Sequence, residues 1–414
     1  MQINVTVIIP VYNMQKYLRA CLDSVVNQSV AGLEIITIND GSTDDSLEIL
    51  KEYAAVYRNI YIYTQKNQGQ AAAKNYGITH AKGKYVLFMD PDDYYPNNEC
   101  IEKMYELSQE GNYNVCGGIM LDDNNGSIEV TDKSIADAYY TNKIVNIYDY
   151  PDIYHHQRFM FKREFLINNN LFFPLYKRYE DPPFTLKALC IAKTFYASSI
   201  KIYVHRIGYK KTQYPIAVCL EVLKGIRDVV QICLDNHIDI IYNKLLYRIS
   251  KDYTVPIYKY LYCGFEEIDS IVKQIFDMLQ VWDKNNTITY DQVRILKEES
   301  LKQYNQIKNI LKGNNKIILY GAGGITKIFL ESFAEYSSNI EGIAVTKNAE
   351  KIKVENMIVR NIEQYEQNDQ NLVIVTTLEK YHKEIKKHLI DLGFHRIIIP
   401  DISKIRLADS MIND

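Results

Sequence analysis

Three carboxylates crowd the stretch YVLFMDPDD, residues 85 to 93, where Asp90, Asp92 and Asp93 follow an apolar run. Like charges a few ångströms apart repel, and water, basic partners or a divalent cation relieves the cost. Asp90 and Asp92 offer hard oxygen ligands from one turn, which suits Mg2+ or Mn2+ shared with substrate phosphates. A plain polar turn bounded by Pro91 and Pro96 is the competing account; the apolar run before it favours the cation.

Glu180 and Asp181 form a second acidic site in YEDPPF. Asp181 before Pro182 has the form of a helix cap with proline at the first helical position. With that helix start at a cleft, the pair places a carboxylate where an acceptor hydroxyl would lie, as a general base requires. Spacing leaves open which of the two acts. Asp40, in ITINDGSTDD, reads as strand, Gly41 turn and helix start, with Ser42 and Asp45 at capping-box spacing. At a strand's carboxyl end it can also accept from the imide N–H of uracil or thymine, with Pro10, Tyr12 and Asn13 as the neighbouring wall.

Lys74, in NQGQAAAKNYGI, follows small side chains that let backbone approach a ligand closely; it is either a solvated charge on an alanine-rich helix or a partner for a pyrophosphate. His205 and Arg206 end another apolar run, with Lys210 and Lys211 beyond. A lone histidine is more often a surface or core residue than a ligand, and His205 joins Asp90 and Asp92 as a candidate metal ligand. Arg206 and the lysines could close over the growing charge of a departing nucleoside diphosphate.

Positioning these groups requires a sheet. Runs at 5–13, 33–40, 59–65 and 84–90 read as strands, and 14–28, 44–57, 70–80 and 97–110 as helices, the rhythm of a mainly parallel sheet covered on both faces. Ligands gather beyond the carboxyl ends of such strands, where three of the four carry polar clusters. Strands near 113–120 and 194–206 and a helix at 182–192 follow, then helical pattern from 215 to 312. From 313 a second alternating unit is expected, with strands KIILYG, IEGIAV, NLVIVTT and HRIIIP and helices at 324–335 and 378–392. Its Gly321, Gly323 and Gly324 make an incomplete dinucleotide fingerprint: Thr326 stands where glycine or alanine belongs, and no acid ends the next strand.

The composition is that of a globular protein: 414 residues, 47 % hydrophobic and 24 % charged, with net charge −3, which argues against a nucleic-acid partner. Seven scattered cysteines without a Cys-x-x-Cys pair suggest neither zinc nor a disulfide framework, and a reducing cytoplasm fits. No stretch reaches about 18 consecutive apolar residues. Helical segments leave peripheral membrane association and homo-oligomerisation open.

In order, VIIPVYN, INDGSTDDS, NQGQAAAKNYGI, YVLFMDPDD and YEDPPF resemble the inverting, nucleotide-sugar-dependent glycosyltransferases of family two, over residues 4 to 212. The resemblance implies a GT-A domain with a Rossmann-like mixed sheet (1–214), to which the sequence pattern adds a helical region (215–312) and a small Rossmann-like carboxy-terminal domain (313–414), an α/β fold in three parts. It implies a cytoplasmic bacterial enzyme, with a peripheral place at the inner face of the cell membrane as the alternative, that moves a hexose or N-acetylhexosamine from a UDP-linked donor to a surface glycan, glycolipid or glycoprotein. On that likeness Pro10, Tyr12 and Asp40 line the base pocket, Lys74 stands near the diphosphate, Asp90 and Asp92 serve ribose and metal, and Asp181 is the base. Family members usually carry arginine where this chain has Lys74, which keeps the charge but loses the planar fork. Two other classes compete: an NAD(P)-dependent sugar-nucleotide oxidoreductase using the last domain, and a non-catalytic sugar-nucleotide-binding assembly subunit.

Overall fold

The computed structural model describes residues 2–131, 138–207, 215–251, 265–282, 290–313, 316–347, 349–352, 354, 357–367 and 371–413. The chain divides into two compact units, Met1–Lys251 with Ser270–Asp283, and Asp252–Asp269 with Lys284–Asp414.

The first unit is built on a nine-stranded mixed sheet. Its strands are β1 (Val5–Val11), β2 (Leu33–Asn39), β3 (Ile60–Thr64), β4 (Tyr85–Phe88), β5 (Val115–Asn124), β6 (Ser127–Val130), β7 (Lys143–Asn146), β8 (Phe159–Lys162) and β9 (Thr194–Arg206). They lie in the order β3-β2-β1-β4-β8-β5-β9-β7, with β6 paired to β5. The first four are parallel; β8 runs antiparallel to both β4 and β5, which makes the sheet mixed. Every residue of β1 and β2 is buried, as expected for strands covered on both faces.

Four helices alternate with the parallel strands: α1 (Leu18–Val26), α2 (Ser46–Val56), α3 (Gln70–His80) and α4 (Cys100–Glu110). α1 buries Leu18, Cys21, Leu22 and Val25, the 3.6-residue stripe of an amphipathic helix. The small residues of α3 have a packing reason: a Cβ added at Gly77 would lie 2.4 Å from Ile8 Cγ2 on β1. Close seating of this helix on the sheet brings Lys74 into the interior. Helix Asp181–Ala192 follows the second acidic site, and Ile216–Asn236 packs beside it, with Gly225 permitting close approach to the Tyr179 carbonyl.

The second unit has a five-stranded, all-parallel sheet of β10 (Lys316–Tyr320), β11 (Ile340–Val345), β12 (Val359–Asn361), β13 (Asn371–Val375) and β14 (Arg396–Ile398), in the order β12-β11-β10-β13-β14. This is a doubly wound order with its reversal at β10 and β13. Separate apolar clusters form on it: Ile317, Leu319 and Phe329 gather with Leu311 and Ile405, while Ile318, Val373 and Val375 gather with Leu389 and Phe394. Helices from the stretch expected as one middle region contribute to both units, Ile216–Asn236 to the first and Tyr290–Lys312 to the second. Among the described residues no helix is long and apolar enough to cross a membrane.

Sequence periodicity misses β6, β7, β8 and β12, the helix Arg163–Asn168 and the final helix Ile402–Asn413. The four strands have three or four residues each, too few to display a period, and β7 is an edge strand with one buried residue. Helices expected from 14 and from 378 start at Leu18 and His382, because the preceding residues are spent on a loop and on the 3-10 turn Glu379–Tyr381.

Candidate functional site

The acids at the carboxyl ends of β2 and β4 and at the start of helix Asp181–Ala192 are joined by one chain of polar contacts. Asp40, 3 % exposed, accepts from Gln65 Nε2 and the Gln68 N–H through Oδ1, and from the Gly69 N–H through Oδ2, each at 2.8 Å. Those donors belong to the loop that leads into α3, so Asp40 fixes where α3 begins. From α3, Gln70 Nε2 donates to Glu180 Oε1 at 2.5 Å, and Lys74 Nζ lies 3.2 Å from the same oxygen and 4.0 Å from Asp90 Oδ1.

Lys74 is therefore not a solvated charge: it is 1 % exposed and stands over the Phe173 ring at 5.0 Å. Asn75 holds that ring in place by pairing with both backbone groups of Phe173. Burial opposes the ammonium, but Glu180, Asp90 and Asp181 outweigh it and raise its pKa. Glu180 is equally buried; desolvation lifts its carboxyl above the ordinary value against the pull of Lys74. Asp181 differs, with 29 % of its side chain exposed. Burial works against its ionisation, yet its interactions with His156, 3.9 Å away, and with Lys74 lower its carboxyl below the ordinary value.

Around the Asp90 turn, Gln157 Nε2 donates to Asp90 Oδ2 at 2.6 Å, and Asp90 Oδ1 is buried without a hydrogen-bond partner. Tyr203 on β9 accepts from the Asp90 N–H and donates to Asp93 Oδ2. Asp93, 1 % exposed, also accepts from the Arg206 N–H; burial, then Asp90 and Asp92, push its carboxyl up to about 7. The Arg206 guanidinium lies over Tyr94 at 4.7 Å and Tyr17 at 5.6 Å. Asp92 is half-buried. His205 Nδ1 is 3.2 Å from Asp122 Oδ1, and although burial disfavours its charge, Asp122 and Asp93 raise its pKa.

Pro10 lies within buried β1, opposite Ile38 of β2, while Tyr12 is 45 % exposed and Asn13 is left-handed (φ 52). Asn13 Oδ1 accepts from the Thr43 N–H, which ties this wall to the loop after Asp40. The expected Ser42–Asp45 capping box is not made: α2 starts at Ser46, and Asp44 accepts from the Ser46 N–H instead. Lys210 and Lys211 lie outside the described residues. The aromatic stretch 148–156 is mostly interior, with Tyr150, Ile153 and Tyr154 buried and Tyr148 exposed.

Among the described residues no group of three or more His, Cys, Asp and Glu forms a ready cation cage. The donor set fits a cation that needs one or two carboxylates and completes its shell with phosphate and water oxygens, and Asp90 Oδ1, which has Lys74 Nζ at 4.0 Å but no hydrogen bond, is such a donor. Sequence reasoning missed Gln70, His156, Gln157 and Tyr203. Gln70 was findable as the residue four before Lys74 on one helix face; the others carry no motif.

An open α/β sheet with its acids gathered beyond the strand ends defines a GT-A domain. Residues 6–169, within the first unit, match the family model described as Glycosyl transferase family 2. Glycosyltransferase GlyA of Streptococcus pneumoniae is 35 % identical over 153 residues, which are 37 % of this chain and 22 % of that protein. Poly(ribitol-phosphate) beta-glucosyltransferase of Bacillus spizizenii is 33 % identical over 209 residues, 49 % of this chain and 32 % of that protein. The chain thus spans less than two thirds of the length of these curated relatives. The fold is similar to that of S. aureus TarS 1-349, whose complex with UDP-GlcNAc has a TM-score of 0.54 at 22 % identity, covering 73 % of this chain and 92 % of that one. The complex of the same protein with UDP gives 0.53 at 21 %.

Proposed function

We propose that the first unit is an inverting glycosyltransferase that moves a hexose or N-acetylhexosamine from a UDP-sugar to a hydroxyl of a bacterial surface glycan, glycolipid or glycoprotein. The carrying observation is the contrast between Glu180, buried and already engaged by Gln70 and Lys74, and Asp181, the partly exposed carboxylate beside it. Asp181 takes the proton of the acceptor hydroxyl as general base. Glu180 and Lys74 act behind it, Lys74 by holding Glu180 and Asp90 in place. Pro10, Tyr12, Asn13 and Asp40 shape the base pocket, and Arg206 supports the diphosphate. Asp90 and Asp92, with His205 at the rim, would hold Mg2+ or Mn2+, which supplies Lewis-acid stabilisation of the departing diphosphate when bound. The matching family and the UDP and UDP-GlcNAc complexes of a similarly folded protein support the donor class.

The test is transfer with a panel of UDP-sugars and the anomeric configuration of the product read by NMR. Asp181→Asn is expected to lower kcat by roughly two to four orders of magnitude while leaving UDP affinity intact. Transfer by that variant at the normal rate, or retention of configuration, would reject the proposal.

A further inference from the structure

His156 is 1 % exposed, and neither of its ring nitrogens has a hydrogen-bond partner. It opens a 3-10 turn, His156–Arg158, directly after His155, whose backbone is left-handed (φ 65). The rings of Phe88, Phe173 and Phe184 surround it, with centroids 5.4, 5.1 and 6.4 Å away. An apolar ring would pack in this cage without the penalty of a buried, unpaired N–H. A reason for an imidazole lies 3.9 Å from Nδ1, at Asp181 Oδ2. That gap is about 1 Å beyond hydrogen-bond length. The imidazole is caged, whereas the Asp181 side chain is 29 % exposed.

Lys74 from α3, Asp90 after β4, Glu180 and Asp181 at the neighbouring helix start, and His155 and Arg158 on its own turn are the charged or titratable groups around the ring. Burial first, then Lys74, keep the ring neutral. A neutral imidazole has one N–H to place.

We propose that His156 is a positioning residue for the base, an inference that rests on the reading of Asp181 above. In the filled site its Nδ1–H donates to Asp181 Oδ2, which fixes the carboxylate and leaves Oδ1 for the acceptor hydroxyl. The hydroxyl proton goes to Asp181, the acceptor oxygen bonds to the anomeric carbon, and the bond from that carbon to the diphosphate breaks with its electron pair leaving on the phosphate oxygen. His156 keeps its own proton throughout.

Side-chain reach gives the test. Asn presents an amide N–H near the place of Nδ1–H, Gln presents one near Nε2, and Phe fills the cage without a donor. With the UDP-sugar that the panel selects, His156→Phe and His156→Gln should each lower kcat roughly 10- to 100-fold, with donor KM and calorimetric UDP affinity within about twofold of wild type. His156→Asn should return kcat to within about threefold. Combined with Asp181→Asn, His156→Phe should add less than about twofold, because both act through one carboxylate. Should the Phe variant fail to fold, the Asn and Gln pair decides alone: equal kcat values overturn the proposal. A wild-type rate in His156→Gln beside an inactive Asp181→Asn overturns the positioning role and leaves the base standing. Full activity in Asp181→Asn overturns both.

Discussion

At the scale of single residues, the same functional group does different work according to what already holds it. Asp40 has three donors on it and organises a loop; Glu180 has two; Asp181 keeps an open face. Asp92 is the acid on which the cation reading turns. Asp92→Ala is expected to weaken UDP-sugar binding and remove its dependence on Mn2+, measured by calorimetry with and without chelator; full activity of the wild-type enzyme in chelator would dismiss the cation. Asp93 gives a stability prediction. Its folded-state pKa of about 7 stands above the ordinary carboxylate value, so the fold binds this proton more tightly than the unfolded chain does. The contribution is complete below about pH 4 and is lost as pH rises through about 7, on the order of a few kcal/mol. In chelator, thermal melts of Asp93→Asn should therefore fall less between pH 5 and pH 8 than those of wild type. Parallel curves would show that this carboxyl does not titrate as described.

At the scale of elements, α3 connects composition to the site. Its bounds, Gln70–His80, and those of β9, Thr194–Arg206, coincide with what the sequence predicts. Sequence alone could not say that α3 lies so tightly on β1 that its lysine is enclosed. Gly77 is the contact that permits this, so Gly77→Ala sets an overpacking cost of about 1–3 kcal/mol against a helix-propensity gain of about 1 kcal/mol. A net loss of up to about 2 kcal/mol is expected in urea unfolding; a variant about 1 kcal/mol more stable than wild type would mean that Ile8 yields without cost. Because Lys74 rides on the same helix, the variant should also lower kcat.

At the scale of the whole molecule, two separate α/β sheets are visible from the alternation of apolar runs, and the second lacks a complete dinucleotide fingerprint. There Thr326 is buried and bonded to Thr376 Oγ1 at 2.9 Å, so the side chain that breaks the fingerprint is part of the packing. The sequence by itself determined the four parallel strands that open the first sheet, four of the five strands of the second, the strand-end acids and their order, since all of these follow from local period and residue type. Only the tertiary structure decided which acids are spent and which stay open. That outcome depends on partners far apart in the chain, such as Gln70 with Glu180 and Gln157 with Asp90, and on the enclosure of Lys74 and His156. Desolvation and pairing at such distances leave no periodic trace in a sequence, yet they fix the charge and reach of every group in the crevice.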